Sequence, residues 1–173
     1  YQPIGVWADI TMGRFKYSPS QGDSQFRRTV YAFWRRSAAP AFLFDNAKRR
    51  VCQVKTPITN TPLQALTLMN DLTYLEASRV LAQNAAASSD LIPEQLTFIY
   101  QHLLSRNPNT EELKIVQLQL EELETFYQSH PDQAKRYLRH GQPETIPNFA
   151  RESFHDKKQQ ASGLAALSSI TSM

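Results

Sequence analysis

The run Thr59-Asn60-Thr61-Pro62-Leu63-Gln64-Ala65-Leu66-Thr67-Leu68-Met69-Asn70-Asp71 limits the fold more than any other stretch. Thr61 suits an N-cap, because its hydroxyl can accept an unpaired amide of the first helical turn. Pro62 then stands at the first helical position, where a missing N–H costs nothing and φ is already helical. Gln64, three residues after Thr61, completes a capping box. Leu63, Ala65, Leu66, Leu68 and Met69 make the helix apolar on nearly every side, the pattern of a buried helix. Asn70-Asp71 ends it, and Asp71 is placed to cap the next. The expectation is an all-α, irregular multi-helix bundle with long loops around a short buried central helix.

The totals agree with a helical domain. A chain of 173 residues makes one domain, or one and a tail. Five glycines and little β-branched alternation disfavour a sheet protein. The net charge of +3 permits a polyanionic partner without requiring one. Cys52 is the single cysteine, so the chain can build no internal disulfide and no Cys-based zinc site. His102, His130, His140 and His155 are scattered without a His-x-x-x-His pair, which argues against a helical metal site. The haem-attachment motif, the Gly-rich phosphate loop and the Gly-x-Ser-x-Gly elbow are missing. No apolar run reaches membrane-spanning length, and no signal peptide is visible. The chain opens at Tyr1 and stops at Met173 within a helical pattern, so both ends read as cuts in a longer protein.

In chain order, residues 1–22 read as an irregular arm punctuated by Pro3, Gly5, Gly13, Pro19 and Gly22. Val6 and Trp7 are expected to dock on the core. Residues 23–141 read as the helical core domain. Its first helix, residues 24–37, buries Phe26, Val30, Phe33 and Trp34, and carries Arg27, Tyr31 and Arg35 on another face, with Arg28 and Arg36 beside them. Such a face is ordinarily solvated; arginines at this spacing beside an aromatic also suit sulfate, phosphate or carboxylate. Residues 38–58 form a long connection holding Asp45, Arg49 and Cys52. With no histidine nearby, Cys52 reads as a buried, inert thiol rather than a nucleophile.

Helices are then expected over residues 72–87, with Tyr74, Ala77, Ser78, Leu81 and Ala85 on one face. Another is expected over 93–105, with a stripe of Leu96, Ile99, Tyr100, Leu103 and Leu104. Ser88-Ser89-Asp90 breaks and caps between them. Thr110 is expected to cap a helix to about residue 129, with Glu111 and Glu112 in its first turn. Leu113, Val116, Leu120, Leu123 and Tyr127 give it a heptad rhythm, read as a hairpin on the preceding helix. Pro131 starts a short helix that Gly141 ends. Residues 142–160 read as linker, and residues 161–173 as a truncated C-terminal helix returning to the core.

The string Phe26-Arg27-Arg28-Thr29-Val30-Tyr31-Ala32-Phe33-Trp34-Arg35-Arg36, then Phe44-Asp45, Arg49 and Cys52, then Thr59-Asn60-Thr61-Pro62-Leu63-Gln64-Ala65-Leu66, resembles a particular family. It is the planctomycete cytochrome-associated C-terminal domain, domain of unknown function 1553. The resemblance runs to about residue 130, and the last helix looks like the family's C-terminal segment. It implies an exported, multidomain bacterial protein. It also implies partner domains before this one, a c-type haem on a separate domain of some members, and work on sulfated polysaccharide. Many members carry arginine where Lys55 and Ile58 stand here, so an anion site using those positions would be weaker in this chain.

Two functions follow. The first is a structural or binding module. Arg27, Arg28, Arg35 and Arg36, with Asp45, Arg49 and Asn60, would face N-terminal domains of the same parent protein or an acidic or sulfated polysaccharide. The second is a share in an active site completed by the N-terminal domain of a polysaccharide-related or haem-linked enzyme, with Asp45, Arg49 and Asn60 presented. An Asp held by an arginine is normally a structural pair and a poor general acid, so the binding module stands first. Nucleic-acid binding ranks third, for want of a reading motif. No cofactor or metal is expected in this segment, and the sequence names no reaction.

Overall fold

The computed structural model describes residues 6–18, 20, 27, 31, 54–55, 61–140 and 157–173. The described secondary structure is entirely helical: α1 (Val6–Thr11), α2 (Pro62–Asn70), α3 (Leu72–Ser88), α4 (Ile92–Leu104), α5 (Thr110–Ser129), α6 (Pro131–Leu138) and α7 (Lys157–Ser172). The chain divides into two compact units, Tyr1–Asp71 and Leu72–Met173.

In the first unit, the stretch read as an irregular arm contains the helical segment α1. Met12 and Gly13 end it in left-handed conformations, φ 53° and 76°. The Gly13 amide closes back on the Ala8 carbonyl at 2.8 Å, a six-to-one helix stop. Thr11 secures the turn: its hydroxyl donates to the Trp7 carbonyl at 2.5 Å and accepts from the Phe15 amide at 3.0 Å. The reversal lays two rings near Trp7, which is 1 % exposed. Phe15 is tilted 59° at 5.7 Å, and Tyr17 lies near-parallel at 6.5 Å.

The start of α2 follows its local chemistry. Gln64 donates its amide to the Thr61 hydroxyl, and Thr61 donates its own to the Gln64 side chain, so the capping box is closed. The expected burial is corrected: α2 has no buried residue. Leu63 is 69 % exposed, Leu66 55 %, Leu68 42 % and Met69 44 %. Its least exposed positions are the polar Gln64 and Thr67, followed by Asp71, at helical spacing. The helix is turned inside out, and it is not the centre of a bundle. Apolar composition marks a surface that gains by being covered; it does not say that this chain provides the cover.

The centre of the second unit is α7. Ala165, Ala166 and Ser168 on it are fully buried, with Leu167 at 4 %. Helices α3, α5 and α6 pack on it, and α4 joins α3 and α5. Around it lie Ala82 and Ala85 of α3, Leu96 and Ile99 of α4, Leu120 and Tyr127 of α5, and Ala134 and Leu138 of α6. Four hydroxyl bonds tie α7 to its neighbours. Thr171 donates to the Ser78 carbonyl at 3.0 Å and Ser162 to the Tyr127 carbonyl at 3.2 Å. The Tyr127 hydroxyl meets Ser169 at 2.9 Å, and the Tyr137 hydroxyl donates to Ser172 at 3.2 Å.

The α5 stripe stands as its periodicity implies. Leu120 and Tyr127 are buried, and Leu113, Val116 and Leu123 pack against the core. The stripe serves α7 more than the preceding helix. On α4 the stripe is only half used: Leu96 and Ile99 are buried, while Leu103 and Leu104 are 53 % and 54 % exposed. The buried face of α3 is rotated from the expected one, with Ala77 exposed and Ala82 at its centre. Asn109, not Thr110, caps α5, because Glu112 stands three residues after Asn109 and completes that capping box. Before α4 the N-cap Leu91 has no side-chain bond. Ser89 supplies one instead, accepting the Leu91 amide at 3.0 Å, while its carbonyl accepts Gln95 Nε2 at 2.8 Å. The expected stop at Gly141 lies outside the described residues, as does the helix over 24–37 apart from Arg27 and Tyr31.

These environments predict opposite outcomes for like substitutions. Leu96→Ala should cost about 2–5 kcal/mol of unfolding free energy. Leu66→Ala should stay within about 0.5 kcal/mol. Urea unfolding of both variants checks the contrast.

Candidate functional site

Of the seven residues that sequence reasoning nominates, the structure describes Arg27, which is exposed, as is Tyr31 four residues on. Arg28, Arg35, Arg36, Asp45, Arg49 and Asn60 lie outside the described residues, as does Cys52. The described residues thus bring no two of the seven together. Lys55, at one position where the family pattern departs, is exposed beside a fully exposed Val54.

The structure draws out two features that the sequence reading missed. The first is the outward apolar face of α2, whose Leu63, Leu66 and Met69 recur three residues apart. The second is an ionic face on α3. Glu76 and Arg79 are 2 % and 1 % exposed, and Arg79 Nη2 lies 3.7 Å from Glu76 Oε1. Gln83, one helical face along from Glu76, is 4 % exposed, and among the described residues its Nε2 is buried without a hydrogen-bond partner. Charged side chains are almost never fully buried unless paired. In the sequence, Glu76 and Arg79 look like an ordinary surface pair at i, i+3. No local pattern encodes their burial.

The chemistry open to these groups is electrostatic. A guanidinium stays charged at any physiological pH and transfers no proton, and Arg79 beside Glu76 makes a fixed dipole in a dry setting. Among the described residues, no group of three or more His, Cys, Asp or Glu side chains could hold a metal ion. Ser129 and His130 come within 2.9 Å, the spacing of a nucleophile and its base. The partners argue against that role. His130 Nδ1 also lies 3.0 Å from the Phe126 carbonyl, which only accepts, so this contact favours a proton on Nδ1 over a lone pair open to serine. The Ser129 hydroxyl donates to the Thr125 and Phe126 carbonyls. The pair is the stop of α5.

Helix α5 also carries two carboxylates in contrary settings. Glu112 receives both terminal nitrogens of Arg106, at 2.6 and 2.7 Å, plus the Asn109 amide. The Arg106 hydrogen bonds, and then the Asn109 amide, hold its carboxyl down to about 2 from 4.5. Burial, and then the neighbouring Glu121, push Glu124 upward. The Tyr127 phenol is also raised by burial, with the Ser169 bond acting against the shift.

A family model describes this arrangement's sequence. The PSD1 model, a protein of unknown function (DUF1553), matches residues 1–120. The chain belongs to the PSD1 family. No curated protein and no solved structure matches it. The PSD1 match takes in α1 to α4, both sides of the inverted α2, and the Glu76–Arg79 pair, and it ends within α5. No PSD1 helix described here is long and apolar enough to cross a membrane.

Two outcomes test the ionic groups. Glu76→Gln should destabilise the fold, by up to about 3–5 kcal/mol, because it removes the carboxylate 3.7 Å from a buried guanidinium. The double change Glu76→Leu with Arg79→Met should recover most of that loss, measured by denaturant unfolding. Glu112 has a lowered folded pKa, so its contribution is present above the ordinary 4.5 and lost as pH falls towards about 2. Glu112→Gln should therefore lower the thermal midpoint at neutral pH, and the difference from wild type should vanish near pH 2.

Proposed function

We propose that this PSD1 chain is the C-terminal helical module of a larger exported bacterial protein, and that it works by binding rather than by catalysis of its own. Another domain of the same protein seats on α2. The observation that carries this reading is the inside-out helix: Leu63, Leu66 and Met69 face water, while Gln64 and Thr67 are the half-buried positions. A short helix fixed at its start by a proline and a capping box, with no charged residue from Pro62 to Asn70, is preorganised for an apolar partner. The resemblance of the arginine-rich and Thr-Asn-Thr-Pro strings to exported multidomain proteins supports the partner's being part of the same polypeptide. Arg27, exposed to solvent, supports a second surface for acidic or sulfated polysaccharide, shared with Arg28, Arg35 and Arg36.

Hydroxyl-radical footprinting tests the docking. Leu63, Leu66 and Met69 should oxidise readily in the 173-residue chain and be protected in the parent protein. Equal rates in both would overturn the reading. The glycan surface is read separately on a heparin column. Changing Arg27, Arg28, Arg35 and Arg36 to Ala should bring elution to lower salt, and unchanged retention would remove that surface.

A further inference from the structure

Glu124 is an anomaly in the α5–α7 contact. Its side chain is half-buried, and Oε1 lies 3.8 Å from where a Cβ would stand on Gly163 of α7. The carboxyl thus lies against α7 at Gly163, where even a Cβ would meet it only at ordinary van der Waals distance. Among the described residues Glu124 makes no ion pair and no hydrogen bond. Its helical neighbours at i±3 and i±4 are Glu121, Tyr127, Leu120 and Gln128, none of them a cation.

Among the described residues, no cation of the other elements packed on α5 forms an ion pair with Glu124. Helix α7 has no charged residue from Ala161 to Met173, and its lysines, Lys157 and Lys158, stand in the first turn. On α4 the titratable residues are Glu94, Tyr100 and His102. On α6 they are Asp132, Lys135, Arg136 and Tyr137. The neighbouring charge that acts on Glu124 is Glu121, of the same sign. A carboxylate so placed gives up hydration without gaining a partner, whereas the neutral acid does not.

We propose that Glu124 is a proton-operated latch on α7: the neutral carboxyl lets α7 seat fully on α5, and its ionisation loosens that contact. The latch sits where it matters, because α7 is the helix on which α3, α5 and α6 all pack. Its direction follows from linkage. Burial and Glu121 raise the folded pKa above the ordinary 4.5. The folded state then holds the proton more tightly than the unfolded chain. The stabilising effect is complete below 4.5 and is lost as pH rises through the raised folded value.

The test compares wild type with Glu124→Gln, which keeps the shape and removes the charge. At about pH 7.5 the variant should melt higher than wild type, and at about pH 4 the two should coincide. A gap that does not change with pH, or a variant less stable throughout, overturns the proposal. Amide exchange of Ala165, Ala166 and Leu167 at pH 7.5 should be slower in the variant. Equal exchange there would refute the latch even if the midpoint moved. Should the variant fail to fold, carboxyl NMR of the wild-type chain decides. A Glu124 midpoint at or below the ordinary 4.5 overturns the proposal, and one above it supports it.

Discussion

The second unit depends on how closely its helices can approach α7. Ala165, Ala166 and Ser168 are wholly buried, and Ala82, Ala85 and Ala134 meet them from neighbouring helices. Small side chains bury little apolar area each, so the usual driving force per residue is weak here. What they permit is close contact, which gains dispersion over many atom pairs and brings hydroxyls within bonding range of facing carbonyls. The bonds from Thr171, Ser162, Tyr127 and Tyr137 follow from that closeness, at a net of about 1 kcal/mol apiece. Loss of α7 would uncover the buried residues of three helices together, which is why a single half-buried carboxyl against it has leverage.

The first unit shows the reverse arrangement at α2. Helix formation there is local, set by Thr61, Pro62 and Gln64, and needs no partner to define its start. Burial is a property of surroundings, and the surroundings turn the leucines outward. Local order with unmet apolar surface is what a docking helix requires: little conformational entropy remains to be lost on binding, and the gain from covering Leu63, Leu66 and Met69 is kept for the encounter.

The same division between local and non-local explains what was legible beforehand. The all-helical class, the span of α5 and its inner stripe could be read because 3.6-residue periodicity is written in consecutive residues. The one-residue error at the α5 cap arose because Asn109 and Thr110 are both good caps; the position of Glu112 chooses between them. The burial of Glu76 and Arg79, the exposure of Leu103 and the lack of a cation paired with Glu124 among the described residues were not legible. Each depends on which helix lies across from it, and helix pairing at long sequence separation leaves no spacing to read. The family was legible from two long strings, Phe26 to Arg36 and Thr59 to Leu66, yet it assigns no chemistry to any side chain. Six of the seven nominated site residues fall outside the described structure, so the arginine surface rests on residue type and spacing.

Two carboxylates on one helix make the electrostatic logic of the second unit explicit. Glu112 stabilises the fold only when ionised, because Arg106 and the Asn109 amide bind the anion. Glu124 favours the fold only when neutral, because none of the described residues pairs with its anion. The first contribution fades as pH falls from 4.5 towards about 2, and the second fades as pH rises above 4.5. Their opposite slopes meet near the ordinary carboxylate range, so these two groups together favour mildly acid conditions over neutral ones. Had both been ordinary surface glutamates, α5 would carry the same charge with neither slope. The difference comes from a guanidinium across a turn in one case and from burial against α7 beside a like charge, Glu121, in the other.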